Sequence, residues 1–210
     1  LQGQILLPLQ TLTVSAPQMT IASGARVSAN QVYLSAPSSF SSWGEVSSLG
    51  DNPLISVLAG VFNLFGSVSA SGSSGRGGRL ILRGARMLFA PSSKVESDGE
   101  GDAGSIALTA DPGGNITLQG VIQTNGSNGR GGTITVTQPS DIILQNASIY
   151  ANGVTDGGAV VLVSTQGAVN IQSSLIQTNG GTGRGGSIAV SGALSTRLTA
   201  STLSSQGWTQ

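Results

Sequence analysis

Six glycines recur at one constant interval through most of this chain, and this spacing limits the folds that it can form. A strict period of about 27 residues is typical of a solenoid, in which each repeat forms one coil of a stack. The glycines are Gly72, Gly99, Gly126, Gly153, Gly180 and Gly207. Four residues before each lies an aliphatic residue: Val68, Val95, Ile122, Ile149, Ile176 and Leu203. Directly before each lies a polar residue: Ser71, Asp98, Asn125, Asn152, Asn179 and Gln206.

Short runs of alternating apolar and polar residues lie between these glycines. One run places Ile106, Leu108 and Ala110 at every second position, and Gly, Asn, Asp or Pro bounds it on each side. Alternation over short runs predicts half-buried strands. Counterpart strands one coil apart would pair in parallel. We therefore predict an all-β fold, a parallel β-helix with regular coils of about 27 residues over positions 68–210.

Residues 1–67 depart from this period. The segment LTVSAP beginning at Leu12 returns as VYLSAP at Val32, which predicts about two shorter, irregular coils in residues 1–40. Residues 41–67 break the pattern and predict an insertion. Within it we expect a short helix near 51–65, with Asp51 or Asn52 as the cap, Pro53 in the first turn and Gly66 past the end. Its apolar face would comprise Leu54, Leu58, Val61, Phe62 and Phe65.

That helix would cover an apolar flank of the solenoid, or it would present a docking surface to a partner. Trp43 lies beside it and fits either interpretation.

The composition excludes several functions. Nine basic residues balance nine acidic ones, so charge favours neither nucleic acid nor an anionic membrane as a partner. The chain has no cysteine and no histidine, which excludes disulfides and thiol catalysis. The longest apolar stretch, residues 54–65, is too short to span a bilayer. Because the chain begins at Leu1 and ends partway through a coil, we expect it to be a mature or excised piece of a longer protein.

Opposite charges alternate at one position of successive repeats, in the order Arg76, Asp102, Arg130, Asp156 and Arg184. Stacked like charges repel, whereas alternating signs attract, so we interpret the column as support for the stacking of the coils. The alternative is a binding groove for an anionic or polyhydroxylated ligand. These five residues and Trp43 are the candidate binding residues.

Other motifs favour structural roles. The asparagine column at 125, 152 and 179 predicts amides stacked along the solenoid axis. Asp98, Glu100 and Asp102 alternate like the acids of a calcium loop, but Thr109 stands where an EF-hand needs glutamate. The GRGG segments lack the residues that follow a phosphate-binding loop. We predict no metal, no cofactor and no enzymatic activity.

The repeat segments GGTITV, GGSIAV, NITLQGVIQTNG and LIQTNG resemble the shaft repeats of filamentous haemagglutinin-like exoproteins of two-partner secretion systems. The resemblance covers residues 68–207. It implies a right-handed parallel β-helix, export through an outer-membrane transporter, and a role in adhesion or matrix building at the cell surface. The family's asparagine–proline secretion motif is matched only at Asn52-Pro53.

We therefore expect a structural, adhesive segment of a secreted or cell-surface filament, with glycans or surface receptors as candidate ligands. Flanking coils or further copies would cover its open strand edges, so a self-assembling filament subunit is one alternative. A polysaccharide-binding or polysaccharide-processing β-helix is another, although the carboxylates are scattered. An ice-binding solenoid would need threonines on every coil, and the run Thr133, Thr135 and Thr137 is not sustained in the coils on either side.

Overall fold

The computed structural model describes residues 1–50, 52–72 and 75–208, and their regular structure is entirely β-strand. The chain winds into a parallel β-solenoid of about eight turns with about 26 residues per turn, which fits a right-handed parallel β-helix. The β-helix predicted from the repeats is therefore confirmed. No helix that could cross a membrane occurs in this part of the chain. The strands are β1 (Gln4–Ser15), β2 (Gln18–Ile21), β3 (Arg26–Ser42), β4 (Glu45–Gly50), β5 (Leu54–Leu64), β6 (Ser67–Gly72), β7 (Arg79–Phe89), β8 (Lys94–Glu96), β9 (Ser105–Leu118), β10 (Val121–Gln123), β11 (Thr133–Gln138), β12 (Ile142–Gln145), β13 (Ser148–Tyr150), β14 (Ala159–Ser164), β15 (Ala168–Gln172), β16 (Leu175–Gln177), β17 (Ser187–Gly192), β18 (Ser195–Thr199) and β19 (Thr202–Ser204).

The strands form three faces, and every strand pairs in parallel with its counterpart one coil away. Face A contains β4, β6, β8, β10, β13, β16, β19 and the first residues of β1 and β3. Face B contains β11, β14, β17, the end of β1, the middle of β3 and the first halves of β5, β7 and β9. Face C contains β2, β12, β15, β18 and the ends of β3, β5, β7 and β9. The longer strands therefore run around corners.

The early coils are shorter than the later ones. On face A, Gln4 pairs with Arg26 and Arg26 pairs with Glu45, whereas Lys94 pairs with Val121. The first two steps span fewer residues than the third, because in the short coils face B follows almost directly after face A. From Gly72 onward a glycine-rich turn separates the two faces, and this turn repeats in the later coils.

Inward-pointing aliphatic side chains fill the centre of the solenoid as continuous columns. Ile106, Leu108 and Ala110, which the alternation assigns to one side of a strand, are all buried. Three phenylalanines form a column in the early coils: Phe40 and Phe62 lie 5.3 Å apart between ring centroids, and Phe62 and Phe89 lie 5.4 Å apart. Aromatic pairs of this kind contribute about 0.5–1.5 kcal/mol beyond the burial of their area.

The prediction of a helix near 51–65 is wrong, because residues 54–64 form β5 and no helix occurs in the described part of this segment. This strand pairs with β3 on one side and β7 on the other. Ile55 and Val57 point into the core, whereas Leu58, assigned to the apolar face of the helix, is 48% exposed. A helix here would leave the backbone N–H and C=O groups of both neighbouring strands unpaired, and this cost outweighs the local helical pattern. Asp51, the predicted cap, lies outside the described residues.

The described residues of the segment 41–67 are likewise part of the regular stack and not an insertion. The segments β4 and β5 occupy the ordinary positions of one coil, and β4 pairs with β3 and β6.

Candidate functional site

The predicted charge column lies on the glycine-rich turns between faces A and B, which we call the charged turns (residues 75–78, 99–104, 126–132, 153–158 and 180–186). Isolated parallel bridges join Gly72, Gly99, Gly126, Gly153 and Gly180 from coil to coil, so these turns stack in register. A Cβ atom on Gly126 would collide with the carbonyl oxygen of Arg130 across the same turn. Glycine at this position therefore lets the turn close tightly.

The aspartates of the charged turns bind the backbone of the next coil. Oδ1 of Asp102 accepts a hydrogen bond of 2.9 Å from the backbone N–H of Arg130. Oδ1 of Asp156 accepts the equivalent bond from the N–H of Arg184, also at 2.9 Å. The carboxylates thus satisfy turn N–H groups, which is a role that the alternation of charges alone did not indicate.

One ion pair connects the arginines and aspartates of these turns in the described residues. Nε of Arg130 lies 3.5 Å from Oδ2 of Asp156, and the two side chains are 71% and 39% exposed. An exposed pair of this kind contributes about 0–1 kcal/mol. Arg76 and Arg184 are exposed at equivalent positions. The structure therefore brings the predicted charges together on one edge of the solenoid. Their hydrogen bonds and the ion pair join successive coils.

The asparagine column forms a ladder of hydrogen bonds beside the charged turns. The backbone N–H of Asn152 donates to Oδ1 of Asn125 at 3.1 Å, and that of Asn179 donates to Oδ1 of Asn152 at 2.8 Å. The backbone N–H of Gln206 continues the ladder to Oδ1 of Asn179 at 2.9 Å. The side-chain amide of each asparagine therefore accepts a hydrogen bond from the following coil. It provides a partner for a backbone N–H group that the turn would otherwise leave unpaired.

Asp98 begins this ladder on the coil before Asn125. Its Oδ1 accepts from the backbone N–H of Asn125 at 2.6 Å, and Nε2 of Gln123 donates to Oδ2. Burial raises the pKa of the Asp98 carboxyl, and these two hydrogen bonds offset the rise only partly. The carboxyl oxygens are thus engaged within the fold, unlike those of a calcium loop.

The carboxylates of Asp111 and Asp141 also make contacts within the fold. Asp111 pairs with Arg83 through bonds of 2.9 and 2.7 Å. Oδ1 of Asp141 accepts from the backbone N–H of Ala168 at 2.7 Å. Within residues 1–50, 52–72 and 75–208, no three acidic, histidine or cysteine side chains group as metal ligands would.

Trp43 lies at a different corner, where face C turns into face A. Its ring stacks on that of Phe65 with centroids 4.7 Å apart and planes 2° apart. Beside this stack is an open groove of about 380 Å³, whose lining includes Gly24, Arg26, Trp43, Gly44, Glu45 and Gly66. We call it the corner groove. The charged turns and Trp43 are therefore separate surfaces, and the structure does not unite the predicted site residues in one place.

No sequence pattern indicated that Arg26, Glu45 and Phe65 accompany Trp43. Phe65 stands one coil after Trp43 because Ser42 pairs with Leu64, and Arg26 stands one coil before Glu45 because these two residues pair directly. The two coils differ in length. Because the intervals between paired residues differ, the sequence shows no constant period from which the proximity of these residues could be predicted.

Two smaller grooves lie on face C. One of about 280 Å³ includes Asn170, Gln172 and Arg197, and one of about 240 Å³ includes Asn63, Arg86 and Asn115. Neither contains an aromatic platform, so the corner groove is the more distinctive surface.

Comparisons with known proteins assign no relative to this chain: no protein-family model, no curated protein and no solved structure matches it.

Proposed function

We propose that this chain is a structural, adhesive segment of a secreted or cell-surface filamentous protein, which attaches to cells or to an extracellular matrix. The observation that supports the proposal is the unbroken parallel stack of about eight turns. At about 4.8 Å per coil, such a stack forms a rod of about 38 Å. A rod of this kind can extend by the addition of further coils without a change in its cross-section.

The polar chemistry of the described residues fits a structural role. The carboxylates of Asp98, Asp102, Asp141 and Asp156 bind backbone N–H groups of neighbouring coils. An acid or base needs a carboxyl that is free to meet a reacting group, and in each of these carboxylates at least one oxygen already accepts a hydrogen bond from the backbone. The proposal therefore assigns the chain no catalytic activity. Secretion, an outer-membrane transporter and glycan or receptor ligands belong to the proposal through the resemblance of the repeats.

Attachment of coated beads tests this function. Latex beads carrying the purified chain are passed over bacterial cells, host cells and extracellular matrix under flow, with beads carrying albumin as the control. We expect the coated beads to attach and soluble chain to compete with them. If the coated beads attach to none of these surfaces, the result would contradict an adhesive role and would favour a passive spacer.

A further inference from the structure

We infer that the corner groove binds a neutral hexopyranose unit of a polysaccharide or glycan, with Trp43 as the stacking platform and the Arg26–Glu45 pair as the hydroxyl-binding group. The inference deepens the proposed adhesive function and rests on it. It names the chemical class of the ligand and the place where the ligand binds.

The first support is an indole surface that the fold leaves open. Trp43 is 46% exposed, although its ring stacks in parallel on Phe65. Because Ile21 pairs with Ser42, the residue that precedes Trp43 by one coil is Ala22, whose methyl group is too small to cover an indole. The stack fixes the orientation of the ring, so binding would cost little side-chain entropy. A flat, oriented and exposed aromatic ring is a suitable surface for the C–H face of a pyranose.

The second support is the pair of charged side chains in the lining of the groove, Arg26 and Glu45. Nη2 of Arg26 lies 2.9 Å from Oε2 of Glu45, and the two side chains are 53% and 35% exposed. The guanidinium supplies several N–H donors and the carboxylate supplies acceptors, which together match the hydroxyl groups of a sugar. Each residue orients the other, so the polar group is already arranged before a ligand arrives.

The third support is the backbone that lines the corner groove at Gly44 and Gly66. A Cβ on Gly44 would collide with the carbonyl oxygens of Ala25 and Ala22, and a Cβ on Gly66 would collide with backbone of Trp43 and Gly44. Glycine is therefore required at both positions for the close approach of backbone at this corner, and Gly44 and Gly66 line the groove without adding a side chain to it. Its volume of about 380 Å³ falls within the range of about 300–1,000 Å³ that is usual for small-molecule sites.

The charge of the groove selects among glycans. Its one cation and one anion neutralise each other, so the groove offers no net attraction to a sulfated or carboxylated chain. A neutral hexose is therefore favoured over an anionic glycan. One shallow groove also predicts weak binding per chain, which display of many copies on a cell surface would strengthen.

Fluorescence of Trp43 provides the direct test. The chain contains a second tryptophan, Trp208, so the measurement uses Trp208→Phe as the reference protein. The probes are maltohexaose, cellohexaose, mannohexaose and N-acetylchitohexaose, with a heparin hexasaccharide as the anionic comparison. We expect a saturable change in emission with at least one neutral probe. Saturation-transfer NMR with the same probe then gives a second measurement that does not depend on the indole.

Variants distinguish the groove from other binding surfaces. By NMR, Trp43→Ala and Glu45→Gln should each weaken the binding of the neutral probe by about tenfold or more. Glu45→Gln preserves the shape of the side chain, so it tests the groove even where Trp43→Ala perturbs the corner. Arg197→Ala, which removes an arginine from the face C groove, is the matched control and should leave binding unchanged.

Several results would overturn the inference: no saturable binding of any neutral probe up to about 10 mM, binding of heparin alone, or undiminished binding by both groove variants. If Trp43→Ala beads still attach to cells, the ligand assignment fails while the adhesive function stands. If the chain binds a neutral probe but coated beads attach to nothing, the adhesive function fails instead.

Discussion

Oδ1 of Asn152 accepts a hydrogen bond of 2.8 Å from the backbone N–H of Asn179, one full coil further along the chain. The same side chain position is used in the coils before and after, so the ladder ties each turn to the next. Among the described residues, the asparagine side chains of the ladder bond to backbone N–H groups and not to one another. This distinguishes the ladder from the stacked amides of a cross-β fibre, in which identical side chains bond along the axis.

Replacement of Asn152 by leucine should weaken the stack. The substitution keeps the approximate shape but removes the acceptor, so the N–H of Asn179 would lose its partner. We expect the free energy of unfolding to fall by about 1–3 kcal/mol. Urea denaturation monitored by circular dichroism measures this change. Asn128→Leu, at an exposed position outside the ladder, should change it by less than about 0.5 kcal/mol. Equal effects of the two substitutions would contradict the proposed role of the ladder.

Stability should depend on the titration of Asp98. Burial raises the pKa of this carboxyl in the folded state, so folding favours the protonated form. Its contribution to stability is therefore fully present below the ordinary aspartate pKa of about 3.9 and is lost as the pH rises through the higher pKa of the folded state.

The variant Asp98→Asn tests this dependence. An asparagine keeps an acceptor for the N–H of Asn125, as in the later coils, and avoids burial of a charge. The amide of Gln123 can turn to accept from it. We expect the variant to be more stable than the parent at about pH 7 and the difference to disappear by about pH 3. Urea denaturation at each pH measures it. A pH-independent difference would show that the charge of Asp98 is not the cause.

The contacts of Asp156 can be separated by two substitutions. Asp156→Asn keeps the acceptor for the N–H of Arg184 and removes only the ion pair with Arg130. It should lower the free energy of unfolding by about 0–1 kcal/mol. Asp156→Arg removes both and places a third cation between Arg130 and Arg184. It should cost about 1–2 kcal/mol more than the asparagine variant and lower the melting temperature. An unchanged melting temperature for Asp156→Arg would refute the stabilising role of the charged turns.

A buried amide offers a stabilising substitution. Gln138 is 1% exposed, and neither atom of its amide has a hydrogen-bond partner among the described residues. Methionine has a similar length and volume without these unsatisfied groups, so Gln138→Met should raise the free energy of unfolding by about 1–3 kcal/mol. Calorimetry measures the gain, with exposed Gln166→Met as the control. A loss of stability would mean that the amide is satisfied in solution, for example by an internal water molecule.

The regular coils were predictable because each coil places aliphatic residues and turn glycines at the same positions of the repeat. Ile106 and Leu108 alternate with polar residues, and both are buried as that alternation requires. The position of Asn152 before a turn glycine likewise indicated a structural role, although its partner, the backbone N–H of Asn179, depends on how successive coils stack. In the corner groove, by contrast, only Trp43 was predicted. Its neighbours Arg26 and Glu45 come from different coils, and no fixed period connects them.

The sequence by itself determined the period, the inward aliphatic columns and the glycine turns, because these depend on spacing within and between repeats. The tertiary structure decided the conformation of residues 54–64. Their local pattern suits a helix through Leu54, Leu58 and Phe62 as well as a strand through Ile55, Val57 and Ala59. Parallel pairing with β3 and β7 selects the strand, since these neighbours offer backbone hydrogen bonds that a helix could not satisfy. The same stacking places Trp43 on Phe65 and so creates the corner groove.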